Sequence, residues 1–311
     1  MDAAVSFPTT PKPVKATRPK LSKRMNVEQA FETIVRCCVE QIRANQDGVA
    51  RFHHAESVHQ MRVGLRRLDA ALTLFGDAVC IPKDIEHEAG WLMDELGTVR
   101  DWDVLVESTL PRISSTVPGQ DALNEVRSAA GEKLQHLHHK VAAAVGSERF
   151  RRLVEGIDSW VQQRGWREGL SMRQKTRLKL RVPHCATAIL EQERERLQKR
   201  GAKLKGGDEK ARHRVRIAAK RSRYAAEFFA SLYPGKQVRP YVQALSALQD
   251  HLGALNDAAV AGRLLEELAG DAVEVREGSA MVRGYLAALG VGGEPKARKL
   301  WKRFTPIRLP H

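Results

Sequence analysis

His59, Arg62 and Arg66 recur 154 positions later as His213, Arg216 and Lys220. Arg67 returns as Arg221 and Phe75 as Phe229, so 59–75 and 213–229 are two versions of one pattern. Such residues suit anions. A guanidinium fork grips two oxygens of one phosphate, an ammonium adds a point charge, and imidazole adds a ring donor that becomes cationic near pH 6.5.

Groups for bond-breaking chemistry are missing from the pattern. No Ser/His/Asp order, glycine-rich phosphate loop or His-Glu-x-x-His sequence occurs. Asp101 and Asp103 come nearest to a Mg²⁺ site, but residues two apart on a helix face different ways. The second copy has Ala259 in place of Asp103. Asp101 and its counterpart Asp257 are therefore read as structural partners of neighbouring basic or amide groups. His136, His138 and His139 read as a surface cluster. No metal, cofactor or catalysis is expected.

Both stretches must be helical to align these groups, since they contain no Pro and carry apolar residues at three- and four-residue spacing. Placed at about 100° per residue, Met61, Leu65, Leu68, Leu72 and Phe75 form one apolar arc, matched by Val215, Ala219, Ala226 and Phe229. Val63, Ala70 and Leu74 form a second seam, matched by Ile217, Tyr224 and Phe228. The His and the cations fall between the seams, with Arg223 at the edge, whereas Arg67 and Arg221 lie elsewhere on the wheel and are expected to matter less. A helix that is apolar on two sides is packed on two sides. The cationic stripe is thus expected to line a groove or channel.

A net charge of +15 and a pI near 9.9 over 311 residues point to a polyanionic partner. Aromatic residues, at 5%, are sparse for stacking nucleic-acid bases, and none lies within 59–70. Nucleic acid is therefore a secondary candidate. The cysteines, Cys37, Cys38, Cys80 and Cys185, form no Cys-x-x-Cys pair and read as reduced thiols of a cytoplasmic protein. No apolar run suggests a membrane span or a signal peptide.

Along the chain, residues 1–24 hold four prolines and six Lys/Arg and read as a basic disordered tail. Helices are expected over about 27–47, 54–76, 84–110 and 120–164, the last broken near Gly146-Ser147. A basic linker, 165–182, leads into helices over about 184–204, 213–233, 237–268 and 274–289, and 291–311 reads as a second basic tail. The segment Leu92–Asp101 returns at Leu248–Asp257, each copy carrying Leu-Gly-x-x-(Arg/Asn)-Asp. Two ordered motifs repeated at nearly one offset imply an internal duplication. The expected fold is all-α, with four-helix bundles at 25–164 and 183–290.

His-x-x-Arg-x-x-x-Arg-Arg and His-x-x-Arg-x-x-x-Lys-Arg-x-Arg-Tyr, each followed by the Leu-Gly motif, resemble the CHAD domain, the conserved histidine α-helical domain. The resemblance covers about 27–289. It implies two four-helix bundles related by a pseudo-twofold around a basic channel, binding of inorganic polyphosphate, and association with polyphosphate granules. It assigns the ligand to His59, Arg62, Arg66, Arg67, His213, Arg216, Lys220, Arg221, Arg223 and Tyr224. Asp69 departs from the pattern, standing where the second copy has Arg223. The competing expectations are a nucleic-acid binder and an accessory to a phosphohydrolase.

Overall fold

The first core helix begins where Asn26 accepts a hydrogen bond from the Gln29 amide while the Gln29 side chain accepts one from the Asn26 amide. This reciprocal cap satisfies two donors that a helix start leaves open. The computed structural model describes residues 11–114, 120–206, 209–270 and 273–310. Its helices are α1 (Val27–Ala44), α2 (Gln46–Ala50), α3 (Ala55–Phe75), α4 (Lys83–Val104), α5 (Leu110–Ser114), α6 (Gln120–Val145) and α7 (Glu148–Gln162). They continue as α8 (Met172–Lys179), α9 (Val182–Gly201), α10 (Glu209–Phe228), α11 (Gly235–Leu268), α12 (Val273–Gly292) and α13 (Glu294–Phe304). The fold is all-helical; among the described residues the only β feature is a bridge between Asn26 and Arg181. The break expected near Gly146-Ser147 separates α6 from α7, where Ser147 caps α7.

In the first half α1 packs on α3, α3 on α4, and α4 on α6; in the second α9 packs on α10, α10 on α11, and α11 on α12. Across the halves α1 meets α9, α3 meets α10, α4 meets α11, and α6 meets α12. Every core helix thus touches its own counterpart, which places all four pairs close to the axis of a twofold arrangement. The core is continuous through both halves and includes Phe31, Met61, Phe75, Trp102, Phe228, Phe229 and Leu248, all essentially inaccessible to solvent. Gly64 sets the approach of α1 to α3: a Cβ there would lie 2.9 Å from the Ile42 side chain and 3.3 Å from the Cys38 carbonyl oxygen.

Three segments read from composition as tail or linker are packed instead. Residues 11–24 run across both halves, since Asn45 exchanges hydrogen bonds with Val14 at 3.0 and 2.9 Å and the Leu21 amide donates to Ser231 at 2.8 Å. Residues 1–10 lie outside the described part. In the supposed linker, Trp166 is buried against Phe31 and Trp160, and the Trp166 indole and the Arg167 guanidinium both donate to Glu28. At the far end α13 packs on α11 and α12, with Phe304 wholly buried beside Tyr241 and Trp301. Lys and Arg dominate the composition of all three segments, yet a few apolar anchors in each decide the outcome.

Candidate anion-binding groove

The twofold brings the two stripes together. Arg62 and Arg66 on α3 lie close enough to α10 for both to act on Lys220, with Arg66 also acting on Arg216 and Arg216 on Arg62. All four are half-buried. Burial and then Arg66, Arg216 and Arg62 push the Lys220 ammonium down to about 6. Burial and Arg66 lower Arg62 to about 10, and Arg216 is also depressed, chiefly by burial. Cations held this close, partly out of water, form a site of high positive potential.

Opposing them are two carboxylates on the paired helices α4 and α11. Asp101 faces Arg62, and Asp257 faces Arg216. The two also feel each other, and the Asp101 carboxyl is raised by burial and by Asp257 despite the nearby guanidinium groups. Their place beside the arginines matches the partner role expected of them. Gly97 of the Leu-Gly motif provides the room, since a Cβ there would stand 3.3 Å from an Arg62 guanidinium nitrogen. The Nε atoms of Arg62, Arg216 and Arg223 are buried and have no hydrogen-bond partner in the protein.

His59 is half-buried; burial first and then Arg100 lower its imidazole, partly offset by Glu56, with Arg66 and Arg62 adding smaller lowering influences. His213 is exposed. The second apolar seam is closed along Ala70, Tyr224 and Phe228 but opens at Ile217, which is 41% exposed. The groove is therefore walled at one end and open towards the start of α10.

Asp103 turns away from Asp101 and the groove. It is wholly buried, with Oδ1 2.8 Å from Nε2 of His138 on α6. This corrects the reading of the histidine cluster as superficial: His136 and His139 are exposed, but His138 is a core residue.

A family model described as the CHAD domain matches residues 33–266. The chain belongs to the CHAD family. Polyphosphate binding is that family's known association. The chain is similar to the CHAD domain from the plant Ricinus communis, known from a crystal structure, at 35% identity and a TM-score of 0.86, covering 96% of this chain and 99% of that one. PptA from Streptomyces chartreusis superposes with a TM-score of 0.63 over 89% of this chain and 99% of its own; at 16% identity the likeness is one of fold alone. No curated protein matches the chain.

The positions carried by the CHAD resemblance separate into two groups. Arg62, Arg66, Arg216 and Lys220 converge, with His59 beside them and His213 at the open end. Arg67 and Arg221 lie on the other side of their helices. Arg67 is 2% exposed and donates to Gln41 at 3.0 Å and to the Thr17 carbonyl at 2.7 Å. Arg221 donates to the buried carboxylate of Glu193 at 2.9 Å. Arg67 thus ties α3 to α1, and Arg221 ties α10 to α9. Arg223 reaches Glu227 at 3.7 Å and lies over the ring of Tyr224, which is buried and stacked on Phe228. Asp69 feels the charge of Arg221 across the halves.

Sequence reasoning passed over Arg100 and Gly97 as parts of the site. Both lie in the repeated Leu-Gly-x-x-(Arg/Asn)-Asp motif, so the repeat was the signal that could have found them. Among the described residues no helix is long and apolar enough to cross a membrane.

Proposed function

We propose that this CHAD protein binds inorganic polyphosphate, without hydrolysing it, in the groove between α3 and α10. The observation that carries the reading is the convergence of Arg62, Arg66, Arg216 and Lys220 from the two halves, opposed by Asp101 and Asp257. Polyphosphate has about one charge per phosphate and no bases. Cations at three-, four- and seven-residue spacing rise by roughly 4.5–10.5 Å along a helix, a scale that follows successive phosphates. The buried Nε donors of Arg62 and Arg216 supply hydrogen bonds as well as charge.

Asp101 and Asp257 lie near the arginines and offset part of their charge. A polyanion takes over their guanidinium partners, and the carboxylates, with Asp101 already disposed to protonation by burial, take up protons more readily. The protein acts at polyphosphate granules in the cytoplasm. Nucleic acid meets the outer basic surface as a weaker partner. The deciding experiment is titration of long-chain polyphosphate into the parent and into a variant carrying Arg62→Gln, Arg66→Gln, Arg216→Gln and Lys220→Gln. Loss of binding with an intact cooperative melt supports the reading; unchanged affinity overturns it.

A further inference from the structure

The two halves differ most where they should be most alike. A cleft of about 1070 Å³ opens between α10, α11 and α12, near the upper end of the roughly 300–1,000 Å³ usual for small-molecule sites. It adjoins the polyphosphate groove, sharing His213 and Arg216 with it, but lies wholly in the second half. Its α11 wall includes Ala258, Ala259 and Gly262. At the repeat offset of 156 these positions answer to Trp102, Asp103 and Val106 of the first half. There Trp102 and Asp103 are fully buried, and Asp103 is tied to His138 on α6. At these three positions large side chains stand in the first half only.

The open space has a distinct chemistry. Ala258 and Gly262 on α11 face Ala280, Gly284 and Ala287 on α12, giving two smooth walls of small residues. A Cβ added at Gly262 or Gly284 would meet nothing within 4 Å, so the room is real on both sides. The mouth is cationic, with the half-buried Arg216 at the groove side and the exposed Arg263 beside it, while Arg283 is paired with Glu266. Arg216 keeps a buried Nε without a partner. Asn256, where the first half has Arg100, places an amide on the lining that can both donate and accept.

We infer that this cleft is a second binding site, for an organic phosphate whose body is a planar heterocycle, as in a nucleotide. The ring lies between the small-residue walls with its polar edge towards Asn256, and the phosphates extend to Arg216 and His213 at the entrance of the groove. Flat walls favour a planar body over an alkyl chain, and a cationic mouth favours phosphate over a neutral compound. The site overlaps the polyphosphate groove at His213 and Arg216 but has walls of its own, which contain none of the α3 cations.

Adenosine triphosphate and inorganic tripolyphosphate share a three-phosphate chain, the latter with one charge more, so tighter binding of the former reads the contribution of the nucleoside. The parent should bind adenosine triphosphate roughly tenfold or more tightly than tripolyphosphate. Ala258→Trp, which restores the first-half residue, and Gly262→Val should each abolish that preference while leaving long-chain polyphosphate affinity unchanged. If Ala258→Trp does not fold, Gly262→Val decides, since its side chain enters open space. A parent that does not distinguish the two ligands, or a folded variant that keeps the preference, overturns the site. Adenosine monophosphate should also bind more tightly than octyl phosphate, and the reverse order overturns the planar body. Failure of long-chain polyphosphate to bind the parent would sink the groove reading and leave this comparison intact.

Discussion

Phe75 and Phe229, equivalent residues of the two halves, meet with ring centroids 6.1 Å apart. A residue that touches its own counterpart lies at the twofold axis of the arrangement. Arg62 with Arg216, and Asp101 with Asp257, are likewise close enough to interact. The hydrophobic contact and the charged groove are therefore two levels of one axis. Phe75 and Phe229 are buried beneath like charges that Asp101 and Asp257 partly offset.

The groove variant follows directly. Arg62→Gln, Arg66→Gln, Arg216→Gln and Lys220→Gln together should weaken polyphosphate binding on the order of a hundredfold or more, given roughly 1.5–3 kcal/mol for a charge-assisted hydrogen bond. The salt dependence of the remaining affinity should flatten, since each phosphate that the protein no longer neutralises takes about 0.7–0.9 from the log–log slope. Glutamine is the informative replacement. Glutamate would set further negative charge beside Asp101 and Asp257 and confound binding with stability. An unchanged salt slope would remove these four side chains from the binding surface.

Lys220 gives the groove a pH dependence. Its folded value, about 6, lies well below the ordinary 10.5 because of burial and three arginines. The unfolded chain therefore binds the proton more readily between those limits, so this group's cost to stability is full below about pH 6 and fades as pH rises towards 10.5. Lys220→Met should raise the melting temperature most near pH 6 and progressively less above it. A bound polyanion reverses the shift, so polyphosphate binding at pH 8 should take up protons, seen as a calorimetric heat that varies with the buffer's ionisation enthalpy. Lys220→Arg should reduce that uptake. A buffer-independent heat in the parent would contradict the coupling.

Arg67 and Arg221 should behave as structural residues. Arg67→Met leaves the Gln41 side chain and the Thr17 carbonyl without their donor and should cost about 2–4 kcal/mol of stability. Arg221→Met removes one cation from the buried carboxylate of Glu193 and leaves Arg196 as its partner. Denaturant unfolding should register both changes, whereas polyphosphate affinity at about 20 °C should stay within about twofold. A large affinity loss in a fully folded Arg67→Met protein would place Arg67 in the ligand's path.

These cases mark how far the sequence could be read. A wheel sorts Arg62 from Arg67 because both sit on one helix whose apolar arcs fix its orientation. The doubled plan is legible because His59 and His213 begin ordered motifs at one offset. What faces Asp101 or Asp103 depends on other helices: two neighbouring carboxylates of α4 turn to Arg62 and to His138 respectively. Composition fails for the terminal segments because charged residues outnumber anchors. Leu21, Trp166 and Phe304 are three residues among many lysines and arginines, yet their burial decides where those segments lie. The cleft of the second half was in principle legible, since Ala258 stands where the first half has Trp102. A missing side chain carries no periodicity signal of its own.

The packed N-terminal segment supplies a test that separates polyphosphate from nucleic acid. Residues 1–10 contain no Lys or Arg, whereas Lys12, Lys15, Lys20 and Lys23 lie exposed on the segment that crosses both halves. Deleting 1–24 is a poor probe, because it also removes the Thr17 carbonyl from Arg67 and the buried Leu21 from the core. Changing the four lysines to Gln keeps that packing and removes only outward charge. Duplex DNA, held by the outer surface, should then bind several-fold more weakly, with a salt slope lower by up to about 0.9 for each phosphate that a lysine had neutralised. Polyphosphate should keep its affinity to within about twofold, because it is held mainly by the half-buried cations of α3 and α10. Long-chain polyphosphate should also displace labelled DNA at equal phosphate concentration, with DNA unable to do the converse. If the lysine variant loses both ligands in parallel, the two share the outer surface and the groove is not the polyphosphate site.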